Sequence, residues 1–198
     1  MTARLLIVGP QGSGKGTQGV RIAETFGVLP VSTGDVFRAA VSAGTPLGEQ
    51  VKAIIEAGDL VPDELTSAVV RDRLAQPDAA DGFLLDGYPR NIAQVAHLEE
   101  FLEGRGESLD AVIELDVPRD ESIARLSRRA AEQGRSDDTE EGIANRLAIY
   151  ERETAPILDV YRTRGIVDRI DGVGSLDEIT QRIIAALEAR GLDRPAAA

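Results

Sequence analysis

At 198 residues, with 42% hydrophobic and 28% charged side chains, the chain has enough apolar material for a core of its own, and its length suits one domain with small insertions. A formal net charge of -12 argues against a general binder of nucleic acid or anionic membrane, so any anionic ligand has to be met by a local group of cations. The absence of cysteine excludes disulfides and thiolate-held metal, and no apolar run approaches a membrane span or a signal-peptide core, which leaves the cytoplasm as the expected compartment.

The first element is an apolar run at residues 4–8, suited to a buried parallel strand. It leads into GPQGSGKGTQ, residues 9–18, which fits the phosphate-loop pattern G-x4-G-K but carries Gly16 where Ser or Thr is usual, with Thr17 next. Gly12, Ser13, Gly14, Lys15, Gly16 and Thr17 form the candidate triphosphate cradle. Glycines permit a tight loop with inward N–H groups, the helix start adds positive potential, and Lys15 can reach the terminal phosphates. A glycine-rich turn with a surface lysine is the bland alternative, and the strand before and helix after argue against it. Lys15 and Lys52 are the two lysines of the chain.

A helix is predicted over 16–26, with Val20, Ile22, Ala23 and Phe26 at helical spacing. A second strand at 29–31 precedes a helix-rich stretch, 32–61, that interrupts the plain alternation. GFLLDG supplies a third strand at 82–85 that ends in Asp86. The carboxyl ends of parallel strands line the ligand crevice, so Asp86 is placed to hold magnesium, directly or through water, with Thr17 as a second candidate. Taken alone, this aspartate could equally serve a turn or a helix cap. A helix at 92–102, a strand at 111–115, a polar link RRAAEQGRSDD at 128–138 and a strand at 166–170 follow. Asp138 with Glu141, and Ser175 with Glu178, have capping-box spacing. The last helix is expected to stop near Gly191, with a frayed end beyond it. The alternation reads as an α/β domain with a mainly parallel sheet.

The motifs GSGKGTQ (12–18), STGDVFR (32–38), GDLVPDEL (58–65), DGYPRN (86–91), GRSDDTEE (134–141) and YERETAPILDVY (150–161) fall in one recognisable order. In these the chain resembles the adenylate kinases, within the nucleoside monophosphate kinases, over residues 4–190. The resemblance implies a P-loop kinase fold: a three-layer α/β/α core with a five-stranded parallel sheet at 1–31, 62–127 and 139–198, a helical monophosphate-binding insertion at 32–61, and a short lid at 128–138. The lid is too short to carry a small sheet, so no structural zinc is expected.

What the resemblance implies for the site is specific. Arg38 and Arg90 match the arginines that grip the AMP phosphate, a role that suits a planar, permanently charged guanidinium. Thr33, the backbone of Asp59, Leu60 and Val61, the loop Gly87, Tyr88, Pro89 and Arg90, and Gln94 match contacts to AMP, with the Pro89 bond cis. Arg125, Arg129 and Gly174 match the ATP side, whereas Arg135 and Arg146 match groups near the transferred phosphoryl and AMP. Lys15, Arg90, Arg129, Arg135 and Arg146 make up the catalytic set. Arg128 stands where the family often has glycine, Gln11 where it often has proline, and Asp137 and Asp138 orient the arginines or close the lid or, for Asp138, cap the next helix.

The implied reaction is Mg-ATP + AMP to 2 ADP by direct in-line transfer, with Mg2+ as cofactor, ATP, AMP and ADP as partners, and a monomer as the working unit. A UMP/CMP kinase is the alternative within enzymes, opposed by Thr33 and Gln94, which pyrimidine-selective relatives typically replace. A regulatory nucleotide-binding module is opposed by the full set of cations. His97 reads as structural or exposed, and Tyr150 and Tyr161 as core packing.

Overall fold

The computed structural model describes residues 3–133 and 139–194. Five strands, β1 (Ala3–Val8), β2 (Leu29–Ser32), β3 (Gly82–Asp86), β4 (Ala111–Asp116) and β5 (Val167–Asp171), form one sheet in the order β2-β3-β1-β4-β5, and every pairing is parallel. All five expected strands are present. The central ones are apolar on both faces because helices cover both, whereas β2 and β5 lie at the edges and keep partly exposed residues.

Successive residues of β1 serve opposite cores. Leu6 and Val8 join Phe83, Leu85 and Val112 beneath α4 (Asp63–Leu74), α5 (Ile92–Glu103) and α8 (Ile157–Thr163). Leu5 and Ile7 join Leu84, Ile113 and Leu115 beneath α1 (Lys15–Phe26) and α9 (Leu176–Ala189). At about 1.5–3 kcal/mol for each fully buried aliphatic side chain, these two clusters supply most of the stabilising burial. On α1, Ile22, Ala23 and Phe26 face the sheet as their spacing implies, but Val20 is 48% exposed and lines the central cleft.

Between β2 and β3 come α2 (Thr33–Ser42) and α3 (Pro46–Ala57), which have their own cluster of Phe37, Val51 and Val61 apart from both sheet faces. The two helices cross at Gly48, where a Cβ would stand 2.1 Å from the Ala40 carbonyl oxygen. Only a residue without a side chain allows that approach.

After β4, α6 (Arg119–Gln133) and α7 (Glu140–Ile149) meet through Leu126, Ile143 and Leu147. The expected cap at Asp138 falls one residue later: the Thr139 side chain accepts from Gly142 N, so α7 starts at Glu140 without an acid in the reciprocal position. Adjacent residues able to cap make that boundary ambiguous in sequence. Ser175 and Glu178 do form the full capping box of α9. A π-helical turn, Tyr150–Thr154, joins α7 to α8. Tyr161 is fully buried in the cluster beneath α4, α5 and α8, and Tyr150 packs against it, as their spacing with aliphatics suggests.

Candidate active site

The strand order reverses at β1, whose neighbours β3 and β4 lead to opposite sides of the sheet, and crevices form at such a switch. In register across the sheet, Ser32 of β2 lies beside Asp86 of β3, which lies beside Ile7 of β1. The chain leaves β1 through a loop in which Gly12 and Gly14 have φ of 81° and 90°. A Cβ at Gly12 would stand 2.5 Å from the Ser122 carbonyl oxygen, so the loop can pack against α6 only as glycine. α1 therefore opens directly onto the cleft, with Lys15 as its first residue.

That cleft has a volume of about 430 Å3 and brings together most of the residues singled out in the sequence. Gly12, Gly14, Lys15, Gly16 and Thr17 form one wall, and Thr33, Arg38, Asp59, Leu60 and Val61 another. Asp86, Gly87, Arg90 and Gln94 come from the end of β3 and the start of α5, and Arg129 and Arg146 from α6 and α7. Five segments distant in sequence thus place five cations, Lys15, Arg38, Arg90, Arg129 and Arg146, around one space.

Their surroundings are electrostatically costly. Burial lowers the Lys15 pKa from 10.5 to about 8; Asp86 opposes the fall, while Arg90, Arg129 and Arg146 add to it. Burial raises the Asp86 pKa, against the pull of Lys15, Arg90 and Arg38, and Asp35 pushes in the same direction as burial. Burial also lowers the pKa of Arg90, opposed by Asp86 and assisted by Arg38 and Arg146. Cations crowded together in this way are complementary to a polyanion.

Several side chains are held by the fold itself. Arg90 Nε donates to Gly87 O at 2.8 Å, Thr33 Oγ1 donates to the same oxygen at 2.9 Å, and Thr154 Oγ1 donates to Arg90 O at 2.8 Å. The Tyr88–Pro89 bond is cis, as expected. Arg38 folds over Gly34, with its guanidinium 3.0 Å from where a Cβ would lie, and its NH2 pairs with Asp35 at 2.6 Å. Arg146 Nε donates to Gly142 O at 3.3 Å and its stem packs on Gly58.

Other anticipated residues lie outside this space. Ser13 is buried beneath the loop, its hydroxyl without a partner among the described residues. Tyr88 points into the core, and its hydroxyl donates to Ser67 Oγ at 2.9 Å. Pro89 lines a small adjoining cavity. Arg125 directs its donors to the protein: Glu121 at 2.7 Å, Ser13 O at 3.3 Å and Gly172 O at 3.1 Å, which ties α6 to the phosphate loop and to the turn before α9. Gly174 lies in that turn, near Glu178 and Arg182. Arg135, Asp137 and Asp138 lie outside the described residues. His97 is half-buried and hydrogen-bonds Ser67 through Nδ1 at 3.0 Å.

Sequence reasoning missed Ser32, Gly34, Asp35 and Phe37, which line the cleft and lie inside the STGDVFR stretch already singled out. It also missed Asp63, within GDLVPDEL, which accepts from Gln94 Nε2 at 2.7 Å. Membership of a motif was the available signal; the contact itself joins residues 31 apart and has no local pattern.

Asp86 Oδ1 is buried without a hydrogen-bond partner among the described residues, which fits an oxygen kept for a cation's hydration shell. The described residues contain no group of three or more His, Cys, Asp or Glu suited to hold a metal. A magnesium ion here would therefore draw most ligands from phosphate and water, as that ion commonly does. A Cβ on Gly16 would stand 3.5 Å from Asp86 Oδ2, ordinary contact, so space does not enforce glycine there.

A family model described as adenylate kinase matches residues 7–166. The adenylate kinase of Clavibacter michiganensis subsp. michiganensis is 58% identical over 189 residues, covering 96% of this chain and 94% of that protein. That of Leifsonia xyli subsp. xyli is 55% identical over 188 residues, covering 95% and 94%, and that of Thermobifida fusca is 52% identical over 187 residues, covering 94% and 99%. The chain belongs to the adenylate kinase family.

Proposed function

We infer that the protein catalyses reversible transfer of the terminal phosphoryl group of Mg-ATP to AMP, giving two ADP. The observation that carries this reading is the convergence of Lys15, Arg38, Arg90, Arg129 and Arg146 on one cleft opposite a phosphate loop. AMP already presents an anionic oxygen, so transfer needs no covalent intermediate, only alignment and stabilisation of charge on the migrating group. Lys15 and the N–H groups of residues 12–17 are proposed to hold the ATP phosphates, and Arg38 and Arg90 the AMP phosphate. Arg129, Arg135 and Arg146 would neutralise charge on the group in flight, and Gly174 would meet the ATP base. Arg125 supports the loops that meet ATP, through its bonds to Ser13 and Gly172.

Asp86 and Thr17 are the residues that would hold magnesium, which supplies charge neutralisation of the phosphates when bound. Residues 32–61 and 128–138 are proposed to move as a monophosphate-binding part and a lid over the core, excluding water that would otherwise accept the phosphoryl group. The separate α2–α3 cluster supports the first of these. A monomer is the proposed working unit, and the cytoplasm, where adenine nucleotides turn over, the proposed compartment.

A coupled assay of purified protein with Mg-ATP against AMP, CMP, UMP and GMP tests this. AMP is the expected acceptor. Preference for another monophosphate would overturn the substrate, and transfer to none would overturn the reaction.

A further inference from the structure

Gln94 is 1% exposed, yet it reaches the wall of the cleft. Both ends of its carboxamide are held. Arg90 N donates to Oε1 at 2.8 Å, and Nε2 donates to Asp63 Oδ1 at 2.7 Å. The same Asp63 oxygen accepts from Asn91 Nδ2 at 2.8 Å, and Asn91 caps α5 by accepting from Gln94 N at 2.9 Å. A backbone N–H can only donate and a carboxylate can only accept, so these partners leave the amide a single orientation. Turning it over would set N–H against N–H and oxygen against carboxylate, with buried groups left unsatisfied. Since an amide has two hydrogens and two lone pairs, one hydrogen and one lone pair remain beyond these two bonds.

In the reading proposed above, on which this inference rests, Gln94 lies against the base of AMP. A 6-aminopurine offers an amino donor beside a ring-nitrogen acceptor; a 6-oxopurine offers a carbonyl acceptor beside an N–H donor. An amide of fixed orientation matches the first and opposes the second. We propose that Asp63 is a specificity-positioning residue: by accepting from Gln94 Nε2, it fixes which end of the carboxamide donates, so that the site takes a 6-aminopurine monophosphate and rejects a 6-oxopurine one. Asp63 stands in the first turn of α4, while Asn91 and Gln94 belong to α5 and its cap, so discrimination is tied to the seating of one helix on the other.

The structural role that competes with this is a favourable charge at the start of α4. Asp63→Asn separates the two, because asparagine keeps the shape but is no longer an obligatory acceptor, so the orientation of Gln94 is held by the Arg90 N–H alone and turning the amide over costs less. Initial rates with AMP and with inosine monophosphate under saturating Mg-ATP, calorimetric Kd values for both, and thermal unfolding are the measurements. The wild type is expected to favour AMP. In Asp63→Asn the ratio of AMP to inosine monophosphate kcat/KM falls about tenfold, with inosine monophosphate gaining in absolute terms, which damage to the helix would not produce. Asp63→Ala, which also withdraws the acceptor, shifts the ratio the same way and serves if the first variant fails to fold. An unchanged ratio, with both monophosphates weakened equally, overturns the inference. A wild type that does not transfer to AMP would instead overturn the underlying functional reading.

Discussion

Replacing Lys15 by Met is expected to stabilise the nucleotide-free protein while removing its activity. The lysine pKa falls from 10.5 to about 8, chiefly through burial, so keeping the ammonium charged near neutrality costs about 3 kcal/mol. Water in the open cleft screens part of this, leaving about 2 kcal/mol. Little is lost in exchange, since Nζ reaches Pro10 O and Gln11 Oε1 only at 3.4 Å each, long for hydrogen bonds. Methionine has a similar length and no charge. For a protein of this size the gain corresponds to a Tm about 4–8 °C higher. The sign with pH follows from the depressed pKa: between about pH 8 and pH 10.5 the unfolded chain holds more protons at this site, so wild-type stability rises across that window. The advantage of the variant is therefore full below about pH 8 and shrinks above it. Scanning calorimetry of both proteins without nucleotide, at about pH 7 and about pH 9.5, measures the gap, and turnover is expected to drop at least about 1,000-fold. A variant that melts at or below the wild type at neutral pH would refute the reasoning, because the buried charge would then not be a destabilising element.

The same titration predicts that kcat/KM for ATP declines as pH rises through about 8, the free-enzyme value at Lys15, and that Lys15→Arg flattens the decline; a pH-rate series checks it. Arg135→Ala is expected to lower turnover by about 1,000-fold or more while Tm changes little, and near-normal turnover would remove this arginine from the mechanism. Gly48→Val places side-chain carbon where a Cβ already lies 2.1 Å from Ala40 O, and is expected to cost about 2–3 kcal/mol. KM for AMP should then rise with KM for ATP little changed, which steady-state kinetics would show.

Much of the fold and site was legible because the relevant signals are local. The three central strands are short, largely apolar runs, and the phosphate loop packs its glycines, its lysine and the helix start into ten residues. The arginines of the cleft were found by motif, and the structure brings Arg38, Arg90, Arg129 and Arg146 together. What escaped depended on distance or direction. Val20 keeps a core-like spacing, yet it lies on the part of α1 that overhangs the cleft, beyond the sheet it would pack on. Arg125 Nε pairs with nearby Glu121, but NH1 and NH2 are taken up by carbonyls 112 and 47 residues away, which no window of sequence contains. Asp63 was equally hidden, since a carboxylate at a helix start already has a sufficient local explanation.

The acidic balance of the whole chain and the cationic cleft act on different length scales, which resolves their apparent conflict. Excess carboxylates on the outer surface are screened beyond about 8 Å at physiological ionic strength, so they disfavour broad polyanions that would lie across that surface. Inside the cleft, screening is weaker, and the cations depress one another: Arg38 and Arg146 act on Arg90, and Arg90, Arg129 and Arg146 act on Lys15. Backbone carbonyls, Gly87 O for Arg90 and Gly142 O for Arg146, hold these groups in place despite that repulsion. An anion small enough to enter relieves it. A compact cluster of phosphates gains from every cation at once, whereas an extended nucleic acid would also be opposed by the net charge of -12 carried by the whole chain.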